Sequence, residues 1–176
     1  MADAYPDFPG VDAHDTVRSP EAERTHRKEM CALGYRIFGA QRWGQFGDGH
    51  VSARDPILTD HFWLLDWGIP FSAATPEQLV LVGPGGDVVD ADGNPTGAVN
   101  TAGYNIHAPL LAARPDVVSA CHTHTQFGTP WSANVEPFRA LSQESTAFVF
   151  DQALFDDEEV EVLSTDGGKR IAASLG

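Results

Sequence analysis

Met30, Leu33, Ile37 and Phe38 recur at helical spacing. Ser19-Pro20-Glu21 ahead of them has the form of a helix start, with Ser19 as N-cap and Pro20 in the first helical position. This helix is predicted to fade near Gly44, and Gly47-Asp48-Gly49 to form a turn. Short apolar runs follow, Val51 to Ala53, Phe62 to Leu65 and Leu79 to Val82, each bounded by Gly, Pro or Thr-Pro turn chemistry and each predicting a strand. Val88 to Asp90 predicts a weak hairpin strand. A second helix is predicted over Thr101 to Ala113, kinked by Pro109 and stopped by Pro115. Val117-Val118-Ser119-Ala120-Cys121 is the kind of run that forms a central strand buried on both faces. A helix over Thr125 to Ala133, a strand near Ala147 to Phe150 and a last helix over Thr165 to Leu175 complete the pattern. The alternation predicts an α/β fold with helices on both faces of one predominantly antiparallel sheet.

The 176 residues suit one domain and can bury about 70% of the unfolded surface without disulfide staples. Residues 1–19, with Pro6 and Pro9, read as an extended N-terminal arm ahead of a domain over 20–176. The net charge of −14 opposes binding to nucleic acid, whose phosphates would be repelled. Part of that charge is the run Asp156-Asp157-Glu158-Glu159-Val160-Glu161, read as a solvated loop. There is no apolar run of about 20 residues to span a membrane, and the first residues lack the form of a signal peptide, so a cytoplasmic protein is predicted. Cys31 and Cys121 are read as small buried hydrophobes.

Candidate chemistry centres on His122-Thr123-His124. Residues i and i+2 of a strand share a face, with Cα atoms about 6.6 Å apart. Two imidazoles there can converge on one divalent ion, or serve only as hydrogen-bonded strand-end histidines. Spacing alone nominates no third ligand.

Residues 113–125, Ala-Arg-Pro-Asp-Val-Val-Ser-Ala-Cys-His-Thr-His-Thr, resemble the "ARPDVxAVxHTHS" segment of the class II aldolase/adducin family. Residues 49–56 resemble its "GNxSxRDP" loop, 62–71 its "FWxNPxGxxF" strand and turn, and 141–148 its "PLTQDxCAFY" segment. The four motifs stand in family order and cover roughly residues 20–176. The resemblance implies a three-layer α/β/α fold with a central, predominantly antiparallel sheet, assembled as a homo-oligomer, a tetramer by family habit. It also implies a site of three metal histidines. Two of them fall on His122 and His124, and the third belongs to a later "RNHG" stretch that this sequence does not contain, so the domain is read as C-terminally incomplete.

Departures from the family pattern shape the expected substrate. His50 stands where phospho-sugar aldolases place Asn, Trp67 where they place a phosphate-binding Thr, and Thr101-Ala102-Gly103 where they carry Ser-Ser-Glu. Glycine takes up no proton and indole offers phosphate no hydroxyl, so phospho-sugar cleavage is not expected. The loop is closer to the adducin-type branch, which contains decarboxylases and iron-dependent oxygenases of aromatic acids. The resulting expectation is a metal-dependent lyase of decarboxylase or aldolase type, acting on a small unphosphorylated oxo- or hydroxy-acid. The alternatives are an Fe²⁺-dependent oxygenase of an aromatic acid and a non-catalytic adducin-like interaction domain. His50 is the candidate acid/base, because an ordinary histidine titrates near neutrality. Arg54 is the candidate carboxylate clamp, with a structural ion pair to Asp55 or Asp48 as its other reading. Gly49, Ser52, Trp67, Gly68 and Thr101 are candidate substrate contacts. His122 and His124 are candidate ligands to Zn²⁺ first, with Fe²⁺ or Mn²⁺ as alternatives.

Overall fold

A computed structural model describes residues 17–90, 92, 94–157 and 162–175. Most of the predicted N-terminal arm and part of the acidic run lie outside these residues. Helix α1 spans Pro20–Gln41, and the Ser19 hydroxyl accepts from the Ala22 amide at 3.2 Å to cap it. It ends with Arg42 in the left-handed region, slightly before Gly44. Five strands follow in part from the predicted runs: β1 Gly49–Arg54, β2 Phe62–Leu65, β3 Leu79–Val82, β4 Val88–Val89 and β5 Ser119–Thr123. Helix α2 spans Thr101–Ala113, and Asn100 is its N-cap. A short helix α3 covers Gly128–Ser132, and α4 covers Thr165–Ser174.

All pairings are antiparallel, in the order β4-β3-β2-β1-β5. Alternation along the strands sends side chains to two cores. Val51, Ala53, Trp63, Leu65 and Leu81 pack with Cys31, Tyr35 and Phe38 of α1. Phe62, Leu64 and Val82 pack with Leu111, Tyr104 and Ala108 of α2 on the opposite face. The result is the expected three layers. Among the described residues, no helix is long and apolar enough to cross a membrane.

Three local expectations are corrected. The run from Val117 does not form a central strand: β5 lies at the sheet edge, pairs with β1 and is half exposed. Ala147 to Phe150 is not a strand; a single tight turn covers Ser145–Ala147 in an exposed stretch with no strand beside it to supply backbone partners, among the described residues. Cys121, expected to be buried, is exposed because it sits on that edge strand.

The packing of α4 on α2 has a specific origin. Pro109 has no N–H, so the Asn105 carbonyl loses the donor that a helix normally supplies four residues on. Gly168 of α4 seats its Cα against that carbonyl, where a Cβ would collide with the oxygen.

A candidate histidine centre between β1, β5 and α2

β1 and β5 pair residue for residue, with His50 opposite His122 and Gly49 opposite Thr123. Directly opposed residues share a face. His50, His122 and, two residues on, His124 therefore project towards the α2 layer. The His122 and His124 rings are stacked, with centroids 4.8 Å apart and planes 8° from parallel. His50 meets His122 edge-on, also at 4.8 Å. The close strand approach requires glycine at 49, whose φ is 153° and whose Cβ would lie 2.9 Å from the His122 carbonyl oxygen.

Behind this front stands a buried relay. His50 Nδ1 lies 2.9 Å from His107 Nε2, and His107 Nδ1 lies 2.6 Å from Ser52 Oγ. His107 comes from α2, one turn beyond Gly103, and the absence of a side chain at Gly103 lets the His50 ring fit against the helix. Burial pushes His50 down to about 2, helped by His107, His122 and His124. Burial likewise pushes His107 down to about 3, with His122 adding to it. His122 is also lowered, by burial and then by His124. Uncharged imidazoles can therefore crowd together here at neutral pH.

These positions revise several expected roles. His50 has no pKa near neutrality; it is a neutral, buried hydrogen-bonding group. Ser52 is fully buried, so its hydroxyl orients His107 instead of touching substrate. Arg54 is not placed to clamp a carboxylate. Its guanidinium donates to the carbonyls of Val117, Thr59, Leu111 and Arg114, tying β1 to the end of α2 and the entry to β5. Asp55 takes its ion pair from Arg24, at 2.7 Å through both carboxylate oxygens, and not from Arg54. Trp67, Gly68 and Thr101 are all exposed, and Trp67 shares a small cavity with Gly49, His50 and Asn100. His107, expected in a packing role or behind a ligand, stands behind His50, Gly103 was read only as the missing family carboxylate, and Asn100 had no place among the expected site residues. The N-cap position of Asn100 before a helix start was the signal that could have found it.

Two imidazoles stacked side by side at the end of one strand fit as two ligands of a divalent ion. Among the described residues, no group of three His, Cys, Asp or Glu side chains is arranged to hold a metal. Glu144, the carboxylate in the nearest matching motif, lies in an exposed turn. Larger cavities of about 600 Å³ between α1 and the β5 edge, and about 900 Å³ between α2, α4 and β2, lie away from His122 and His124.

Comparison with known proteins agrees with this layout. The profile described as Class II Aldolase and Adducin N-terminal domain matches residues 28–176. A Streptomyces roseochromogenus protein, 4-hydroxy-3-prenylphenylpyruvate oxygenase/4-hydroxy-3-prenylbenzoate synthase, is 36% identical over 99% of this chain and 64% of its own length. Decarboxylase NovR of Streptomyces niveus is 34% identical over 99% of this chain and 65% of its own. Among solved structures, L-fuculose 1-phosphate aldolase from Glaciozyma antarctica PI12 superposes with a TM-score of 0.78 at 34% identity, covering 91% of this chain and 61% of that one. The chain thus spans a little under two thirds of the length of these three relatives.

Proposed function

The chain belongs to the class II aldolase/adducin family, and on that premise we propose that it serves a metal-dependent carbon–carbon lyase of decarboxylase or aldolase type, acting on a small unphosphorylated oxo- or hydroxy-acid. The observation that carries this reading is the stacked His122–His124 pair facing His50 across two paired strands. His122 and His124 would hold a divalent ion, Zn²⁺ in the first instance and Fe²⁺ or Mn²⁺ as alternatives. When bound, such an ion supplies Lewis acidity to neighbouring substrate oxygens, which favours cleavage of the adjacent C–C bond. His50 presents a neutral imidazole beside that position, and His107 and Ser52 fix its ring from behind. Gly49 keeps the strand approach close enough for this arrangement, Trp67 lines the small cavity beside His50, and Gly68 and Thr101 are kept as proposed substrate contacts. Assembly as a homo-oligomer, a tetramer by family habit, and residence in the cytoplasm belong to the same proposal.

Titration calorimetry of the chelator-dialysed chain with Zn²⁺ tests the reading. Weak binding, lost in both His122→Ala and His124→Ala, is the expected result, since two protein ligands give up a large share of a three-ligand site's affinity. Binding unchanged in both variants would remove the site. Turnover is then sought on small 2-oxo and hydroxy acids.

A second reading, an Fe²⁺-dependent oxygenase, is favoured by the 36% identical relative whose name includes oxygenase. Imidazole serves Fe²⁺ and Zn²⁺ alike, so Fe²⁺-dependent O₂ consumption distinguishes the two. A third, a non-catalytic interaction domain, is favoured by Gly103, which leaves the family's carboxylate position without an acid. Zn²⁺ binding without turnover on any acid would support it.

A further inference from the structure

The amides that open α2 and the loop that enters β1 are closed off together. Asn100 Oδ1 accepts from the Ala102 amide at 2.9 Å and the Gly103 amide at 3.2 Å. Its Nδ2 donates to the Gly47 carbonyl at 2.8 Å, so the carboxamide is held from both sides. The first-turn amides of a helix are where a phosphate ordinarily docks, because they point outward without partners. Here two of them are already used, and a phosphate would have to displace a side chain that makes three hydrogen bonds.

Over Gly47 lies the indole of Trp67. A Cβ at Gly47 would come 3.0 Å and 3.1 Å from two outer carbons of that ring, so the ring rests on bare backbone. The Trp67 amide donates to the Ala98 carbonyl at 2.8 Å, anchoring it to the segment that leads into Asn100. Trp67 is 56% exposed, and neighbouring Phe46 is 57% exposed. Phe46, Trp67 and Asn100 line the same small cavity as Gly49 and His50, which places this corner beside the histidines.

We propose that Asn100 and Trp67 set the specificity of the candidate site: Asn100 shuts the α2 amides against phosphate, and Trp67 offers a flat apolar face, so the far end of the substrate is an uncharged planar ring. The inference rests on the lyase reading for where the reacting end lies, but the corner can be probed alone. Flat rings stack on indole favourably, with an attraction beyond simple burial.

Nuclear magnetic resonance of the full ¹⁵N-labelled chain, titrated separately with inorganic phosphate and with benzyl alcohol, supplies the test. Benzyl alcohol is expected to shift the Gly47 amide and the Trp67 indole N–H, and phosphate to leave the Ala102 and Gly103 amides unmoved. Asn100→Gly frees those amides in a residue tolerated at N-caps, and phosphate affinity there is expected to rise about ten-fold, the equivalent of one or two regained hydrogen bonds. Asn100→Asp keeps the capping oxygen and should stay closed. Trp67→Ala should weaken the benzyl alcohol response about ten-fold. Phosphate shifting Ala102 and Gly103 as strongly in the unaltered chain as in Asn100→Gly would overturn the proposal, as would benzyl alcohol shifting neither Gly47 nor Trp67. Failure of the lyase reading would show elsewhere, as no response of the His122 and His124 rings to Zn²⁺ with the amide responses intact.

Discussion

Keeping His50 and His107 uncharged has a cost that grows as the pH falls. Their folded values of about 2 and about 3 lie below the ordinary histidine value of 6.5. Between those limits the unfolded chain binds more protons than the folded one, so stability is retained above pH 6.5 and lost on acidification. Each group contributes about 1.4 kcal/mol per pH unit in that window. Together they should remove roughly 3–4 kcal/mol between neutral pH and pH 5, read as a fall in the urea midpoint. A flat midpoint over that range would show that both rings take up protons without unfolding. Gly103→Ala gives a second check. Its Cβ would lie 3.2 Å from His50 Cγ, and His50 cannot retreat because His107 holds it at 2.9 Å. The crowding should outweigh the helix-propensity gain of about 1 kcal/mol, leaving the variant less stable and the His50 ring signals moved. At this scale the sequence made the histidine pair legible, because i and i+2 on a strand share a face whatever surrounds them. Ser52 and Arg54 were misread because a motif names a polar side chain without saying whether it faces a cleft or a backbone carbonyl.

Between elements, buried polar side chains do much of the joining. Asp55 sits at the end of β1 and is fully buried. Burial alone would raise its carboxyl, but Arg24 of α1, the Leu58 and Ile57 amides and the Trp63 indole hold it below the usual carboxylate range. Removing one partner of a buried pair leaves the other charge uncompensated, so Asp55→Ala should cost about 3–5 kcal/mol. A loss under about 1 kcal/mol by chemical denaturation would mean that Arg24 finds water at once and the pair behaves as a surface pair. The strands β2 and β3 and helix α2 were legible to the residue, because turn residues bracket the strands and Pro115 stops the helix. β5 was not, since a short run of small and β-branched residues looks the same in the middle of a sheet and at its edge. Which of the two it becomes depends on neighbours far away in sequence.

At the scale of the molecule, the stretch after β5 leaves much apolar surface open, with Phe127 80%, Leu141 78% and Phe150 97% exposed. Surface of this kind favours association, and the net charge of −14 opposes it at low salt. Size-exclusion chromatography should therefore show apparent mass rising with ionic strength. A species of 18.9 kDa at both low and high salt would mean that the open surface is not a contact. The order of the sheet also bears on time. The strands that bring His50 to His122 are joined across a long loop, with Ser52 and Ala120 separated by 68 positions, whereas β1, β2 and β3 are close neighbours in the chain. Closing a long loop is entropically slow, so local hairpins form ahead of it. The site would then be completed after the main barrier, and a destabilising change in β5, such as Ala120→Gly, should speed unfolding while leaving the refolding rate nearly unchanged. Stopped-flow chevrons would show this as a shift of the unfolding arm alone. On the proposed lyase reading, metal capture would consequently lag behind collapse, and a signal linked to the added ion would work as a clock for the last step of folding.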